Sequence, residues 1–299
     1  VKVSRALAAA LAALACATLA ACESREQATP GEGQPAARLL VTAGYGGERL
    51  LDRRVPPDQS VMRALRGAAT VETGYGGAFV AAMFDRRSDA GAHRDWFLLM
   101  NGVESDVGAR DYRLRTGETA WWDYRDWGSL MSVGIAVGLW PEPFVHGFRT
   151  PPEEVSADPP LDAPLRRAGV RLGTGMTPWR VRVGSDAALR AEDPAWRRAE
   201  SDPDRAGMTA AVEGGRITAL APGGGPRVPV PGARALAVAV STGDSPGAGA
   251  LMAVAGLDAA AARAAAEAIA RDPAILRERY AVAFDGGGRP LRAAARAGP

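Results

Sequence analysis

The stretch TAWWDYRDW, residues 119–127, holds three of the chain's seven tryptophans and one of its five tyrosines, with Asp123, Arg125 and Asp126 among them. A β-strand turns successive side chains to opposite faces. Read as a strand, this stretch sends Ala120, Trp122 and Tyr124 one way and Trp121, Asp123, Arg125 and Trp127 the other. One face is a core face. The other has two readings. Residues 128–148, with Leu130, Ile135, Leu139, Trp140 and Phe144, can cover it, or it stays open as a stacking surface. Exposed paired aromatics rarely lack a reason, so Trp121 and Trp127 are candidate ligand-binding residues.

Working outward, Thr116-Gly117 is expected to turn YRLR back onto this strand. Asn101-Gly102 is a strong hairpin signal, because both central residues of a type I′ turn need positive φ; it pairs DWFLLM with VESDV. Ser60 is placed to cap a short helix, VMRALR, that ends at Gly67. Two apolar strands, RLLVTAG and ERLLDRRV, flank the GYGG turn at 44–47. A second GYGG, at 74–77, precedes AFVAAMF and brings Tyr75 forward as a third candidate ligand-binding residue. A phosphate-cradling loop leads from a strand into a helix. Each GYGG here leads into an extended apolar run, so the glycines are read as turn formers.

The order SVMRAL, TGYGGAFVAAM, DWFLLMNGV, YRLRTGETAWWDY resembles the transcobalamin-like C-terminal domain, a β-grasp module of unknown function common in bacterial secreted proteins and lipoproteins. Trp96, Asn101 and Gly102 match that family's hairpin; Leu114, Gly117, Trp122 and Tyr124 match its closing strand. Glu118 stands where the family has Asp, and Leu98 where it has an aromatic. The resemblance covers residues 38–127, and Trp-Pro-Glu-Pro-Phe at 140–144 resembles the sequence that follows the module in related lipoproteins. It implies a β-grasp sheet with Ala120, Trp122 and Tyr124 packed on the helix around Leu65. In transcobalamin the corresponding domain closes over a corrinoid together with a helical domain, which has no counterpart here.

Beyond residue 148 the segment RTPPEEVSADPPLDAP, residues 149–164, is rich in proline and acids and reads as a linker. It separates residues 38–148, the β-grasp core with a C-terminal annex, from residues 165–299. The second part alternates strands and helices: PWRVRVG, a helix restarted at Asp193-Pro194, a hairpin through Gly214-Gly215, the strands RALAVAVST and GALMAVAG, an Ala-rich helix capped by Asp258, a short helix from Asp272-Pro273, and a closing hairpin. The expected fold class is α+β: a β-grasp-like N-terminal domain followed by a second, mixed sheet of about six strands.

The other end of the chain addresses its location. Lys2 and Arg5 precede the run Ala6–Ala21, which has the length of a signal-peptide apolar region and is short for a membrane span. Leu19-Ala20-Ala21-Cys22 resembles the bacterial lipobox. That resemblance implies cleavage after residue 21, a lipid on Cys22, and residues 22–37 as a polar tether to a membrane-anchored, extracytoplasmic protein. The mature chain then keeps no free cysteine, so disulfide, thiolate and Cys–metal chemistry are excluded. Removing Lys2 and Arg5 leaves 34 basic residues against 34 acidic, from 36 and 34 in the full chain. This lysine-free, neutral balance offers nothing to nucleic acid.

A catalytic constellation is not legible. His93 and His146 stand alone, no metal-ligand spacing occurs, and no Gly-x-Ser-x-Gly elbow is present. Asp95, Asp106, Asp123 and Asp126 qualify for acid–base work only by being acids. The expectation is a non-enzyme with no cofactor that binds a small molecule, by resemblance a corrinoid or other vitamin, beside a transporter. The alternative is a cell-surface protein-interaction module. An aromatic-lined cleft between the domains would suit the first, a flat apolar patch the second.

Overall fold

A computed structural model of the chain describes residues 29–221 and 224–291. The expected signal sequence, Cys22 and the start of the tether lie outside the described residues. No helix among the described residues is long and apolar enough to cross a membrane.

The N-terminal part runs β1 (Ala37–Ala43), β2 (Glu48–Val55), α1 (Val61–Arg66), β3 (Glu72–Gly74), β4 (Phe79–Met83), β5 (Arg86–Arg87), β6 (Arg94–Met100), β7 (Val103–Glu104) and β8 (Thr119–Asp126). Its main sheet has the order β2-β1-β8-β6-β7. β1 and β8 are parallel and the other neighbours antiparallel. The last strand thus enters the middle of the sheet beside the first, which is the β-grasp arrangement. β3, β4 and β5 form a small separate sheet. Leu39, Leu40 and Val41 are all fully buried, because β1 is covered on both faces. β2 is the sheet edge and carries Arg49, Asp52, Arg53 and Arg54, charges that discourage edge pairing.

Local chemistry sets the ends of these elements. Ser60 Oγ accepts from the Arg63 amide at 3.2 Å, and α1 buries Val61, Met62, Ala64 and Leu65. Asn101 (φ 51°) and Gly102 (φ 85°) make the expected two-residue turn, with Met100 opposite Val103. The partner strand is only Val103–Glu104, shorter than VESDV, because the Ser105 hydroxyl receives the Val107 amide and turns the chain away.

The hairpin expected at Thr116-Gly117 does not form. Tyr112–Leu114 bonds instead to the loop leading into α1: Val61 N donates to Tyr112 O and Leu114 N to Gln59 O. β8 is thereby left to pair with β1 and β6. Gly117 does have positive φ, and a Cβ there would lie 2.5 Å from His146 Nε2, so glycine is required by contact as well as by turn geometry.

The C-terminal part contains β9 (Val155–Ala157), α2 (Asp162–Arg167), β10 (Trp179–Ser185), α3 (Asp186–Glu192), α4 (Pro194–Ser201), β11 (Ala210–Glu213), β12 (Arg216–Ala221), β13 (Gly225–Pro229), β14 (Ala235–Ser241), β15 (Ala250–Gly256), α5 (Ala259–Arg271), β16 (Val282–Phe284) and β17 (Pro290–Leu291). A six-stranded sheet has the order β17-β16-β14-β15-β10-β9, and β11-β12-β13 forms a sheet of its own. The strand number matches expectation but the membership differs. The Gly214-Gly215 hairpin leaves the main sheet, and β9, from the proline-rich segment 149–164, joins its edge. The fold is α+β, a β-grasp-like sheet followed by a second mixed sheet. Ile135 forms antiparallel bridges to Val103 in one sheet unit and to Ala239 in the other.

Candidate functional site

β8 divides the predicted aromatic cluster by face. Ala120 and Trp122 pack in the core with Leu65, and Tyr124 packs against it. On the other face Trp121 is fully enclosed. It lies in a cluster with Leu40, Leu99, Leu130, Val133, Ala136, Leu139 and Tyr280. Its indole Nε1 donates to Thr42 Oγ1 at 2.7 Å, and its ring meets Tyr280 at 5.2 Å. Of the two readings of this face the covered one holds, with residues 128–148 over it and Tyr280 closing it from the second unit, and Trp121 as a ligand-binding residue is corrected.

Under that cover lies a polar network. The Asp123 carboxylate accepts from Thr42 Oγ1 (2.6 Å), Tyr45 N (3.0 Å) and Gly46 N (3.2 Å). Burial pushes its pKa up against these donors and Arg125. Arg125 donates through Nη2 to Glu104 Oε2 at 2.5 Å and through Nη1 to the Tyr280 hydroxyl at 3.3 Å, and its guanidinium lies 3.7 Å from the centre of the Phe97 ring. Burial also raises Tyr280 well above the usual phenol range and Tyr45 to about 12. Tyr280 therefore stays neutral across the physiological range and serves Arg125 as an acceptor. The network joins β8 to a residue more than 150 positions away (Arg125 to Tyr280 is a separation of 155). It is closed to ligands, and its work is to hold the two sheet units together.

The other two sequence candidates lie among different partners. Trp127 is half-buried, its ring meets His93 at 4.6 Å with a tilt of 48°, and its amide donates to His93 O at 2.7 Å. Tyr75 is 89% exposed and meets Phe79, 64% exposed, edge to face at 5.6 Å. The second GYGG loop positions this pair. Gly76 and Gly77 have φ of 67° and 90°, and Ala78 N closes the turn onto Tyr75 O at 3.4 Å. Arg110 donates to Gly76 O at 2.8 Å, and Arg66 to Thr73 Oγ1 at 2.9 Å. The surface is thus two solvent-facing rings beside two guanidinium groups. Phe79 is a residue that sequence reasoning missed: AFVAAM reads as an apolar strand, and only Val80 and Met83 of β4 are buried. Period-2 alternation does not sort this strand, since Val80 and Met83 stand three apart and both are buried, so nothing in the sequence marks Phe79 as outward.

The remaining chemistry is sparse. His146 is paired through Nδ1 with Glu142 Oε1, and the hydrogen bond that the imidazole donates to that carboxylate raises its pKa. Among the described residues no three His, Cys, Asp or Glu side chains gather as a metal site. A cleft at the junction of the units is lined by Arg38, Thr119 and Arg277 with the single aromatic Trp140, so this cleft is not the aromatic-lined one that would suit capture between domains.

Residues 58–126 match a family described as a domain of unknown function, DUF4430. This span includes α1, Tyr75, Phe79 and all of β8. A crystal structure from Ruminococcus gnavus, described provisionally as a metal-binding protein, is similar over 31% of this chain and 98% of its own, at 14% identity and a TM-score of 0.27. No curated protein matches the chain.

Proposed function

We propose that the chain is a non-catalytic binding protein, held on the extracytoplasmic face of a membrane by a lipid on Cys22, whose ligand surface is the Tyr75–Phe79 face of the β-grasp unit. The observation that carries this is the pair of adjacent rings of Tyr75 and Phe79, the two exposed large aromatic side chains among the described residues. Met131, Met176 and Val228 are the other exposed large apolar side chains among the described residues, and each stands in a different segment. Two rings offer far less than the roughly 800 Å² per partner of a stable protein interface, whereas a few polar groups converging on an apolar surface are what a small ligand uses. A flat ring system fits by stacking, and the transcobalamin-like resemblance makes a corrinoid the first candidate. The face is open, so it supplies one wall of a site, and a transporter or other surface partner supplies the second.

The test is a titration of residues 23–299 with cobalamin and cobinamide, followed by corrin absorbance. Saturable one-to-one binding that Tyr75→Ala and Phe79→Ala weaken about tenfold or more is expected, since a stacked ring contributes roughly 1–3 kcal/mol. Absence of binding at millimolar ligand, or binding unchanged in both variants, sinks the corrinoid assignment. The exposure of both rings also suits a second reading, a protein-interaction module. Crosslinking at the membrane that traps one partner through position 75 or 79, with no corrinoid bound, would establish it.

A further inference from the structure

The tether joins the fold beside a groove, and the point of entry decides what that groove faces. Arg53 Nε donates to the Thr29 hydroxyl at 3.0 Å. Gln34 N closes a turn on Gly31 O at 3.2 Å, and Arg54 Nη2 donates to Gln34 O at 2.9 Å. Gly117 N donates to Ala36 O at 2.9 Å. Residues 29–36 are therefore bound to the end of β2 and to the turn before β8. Seven residues join Thr29 back to Cys22. A chain spans at most about 3.3–3.6 Å per residue, so Thr29 stays within about 25 Å of that cysteine.

Two clefts at this end share Arg38 and Thr119. One, of about 560 Å³, is lined also by Gln34, Ala37, Arg54 and Thr116. The other, of about 180 Å³, adds Leu139, Trp140, Pro273 and Arg277. Three arginines and no carboxylate line the pair. Arg38 is held by Asp52 through both oxygens at 2.8 Å, and Arg49 holds Glu278 at 2.6 Å. Arg54 and Arg277 are exposed, and among the described residues neither lies in an ion pair.

Resting on the reading of Cys22 as the lipidated residue, we propose that this groove faces the bilayer and that Arg54 and Arg277, on either side of Arg38, bind the phosphate of an anionic phospholipid headgroup. Guanidinium meets phosphate through charge-assisted, bidentate bonds. The negative potential of a membrane surface falls off within a Debye length, about 8–10 Å, so it acts only on a face kept close to the bilayer. The short tether keeps this face there. Leu139, Trp140 and Pro273 give the headgroup an apolar wall on the side of the second unit.

The experiment uses the mature full chain purified from membranes. Its intact mass is read first, for a diacylglyceryl group on Cys22. The chain is then placed in nanodiscs of phosphatidylcholine alone or mixed with phosphatidylglycerol, and amide hydrogen exchange is followed. Residues 33–38, 116–119 and 273–277 are expected to exchange severalfold more slowly beside phosphatidylglycerol, and high salt removes the difference. The double variant Arg54→Gln and Arg277→Gln loses the difference and keeps the slow exchange of β8 and β15. Glycerol phosphate added to the chain in detergent gives no such protection. If it does, the seat takes a soluble phosphate and the membrane assignment is overturned. Equal exchange in the two bilayers, or a difference that the double variant leaves unchanged, overturns the headgroup seat while the lipid on Cys22 stands. A mature chain without that lipid overturns the anchor, and the headgroup seat falls with it.

Discussion

Gly46 concentrates the demands made on one residue. Its φ is 74°, its amide holds Asp123, and a Cβ at this position would lie 1.7 Å from Glu278 O. The obstacle is backbone of the second sheet unit, so no side-chain rotation relieves it. Gly46→Ala is expected to cost on the order of 3 kcal/mol or more, a strained φ added to a forced backbone shift, read as a lowered Tm. A change within about 0.5 kcal/mol, the ordinary range of surface substitutions, would refute this. The sequence showed the turn but not its anion. Asp123 lies 77 positions away from Gly46, and nothing local marks it as the acceptor.

Glu200 supplies a pH dependence at the same scale. Burial pushes its carboxyl up to about 7, against the Val212 amide and the Arg190 guanidinium that bond to it. A carboxyl raised in the folded state binds its proton more tightly there than in the unfolded chain. The stabilisation is full below the unfolded value of 4.5 and is lost as pH rises towards 7. Glu200→Gln should flatten the stability profile across that window by roughly 2–3 kcal/mol. Urea denaturation at pH 5 and pH 8 measures it, and an equal pH slope in both proteins would count against the assignment.

At the scale of elements, the legible features were those whose chemistry is local. Ser60, Asp193 and Asp258 each accept an amide of the helix they precede, as their positions before apolar-periodic runs implied. Asn101-Gly102 turned the chain with the φ values that its side chains permit. The Thr116-Gly117 hairpin failed because TG specifies a turn and not the partner. Tyr112–Leu114 found its hydrogen-bond partners in Asp58, Gln59 and Val61 at the entry to α1, a choice made by tertiary contact. Glu118, fully buried, receives Tyr112 Oη at 2.9 Å and Arg115 N at 2.8 Å, which fixes the segment beside β8 rather than across from it. Asp193 shows how one cap can serve two elements. It caps α4 through Ala195 N and pairs with Arg180 of β10 at 2.6 Å, both side chains almost wholly buried. Asp193→Ala removes the cap and strands a buried guanidinium, an expected loss of roughly 3–5 kcal/mol in urea denaturation. A loss of only about 1 kcal/mol, the worth of a cap alone, would mean the ion pair contributes nothing.

At the scale of the whole molecule, the proline-rich segment and the change of pattern after it predict two units; the described residues form two main sheets, of five and six strands, and two of three strands. What the pattern does not carry is how the units meet, because that depends on side chains from distant strands with no periodic signature. Trp121 is enclosed by residues 128–148 together with Tyr280 of the second unit. The covering segment is itself held from the second unit, by Val137 N on Tyr280 O and Glu278 N on Gly138 O. Arg49 adds an ion pair to Glu278 at 2.6 Å. Apolar side chains of both units, among them Val103, Ile135, Ala239 and Met252, belong to one continuous core. A chain ending at residue 148 keeps every strand of the β-grasp sheet but loses Tyr280, the acceptor of Arg125 Nη1, and part of the lid over Leu40, Leu99 and Trp121. We expect residues 29–148 alone to bind a hydrophobic dye and to show tryptophan emission red-shifted from that of the intact chain, which itself unfolds in a single cooperative transition. A truncated chain that melts sharply, with unshifted emission and no dye binding, would show instead that the β-grasp unit buries its own second face and that the junction is a contact between finished domains.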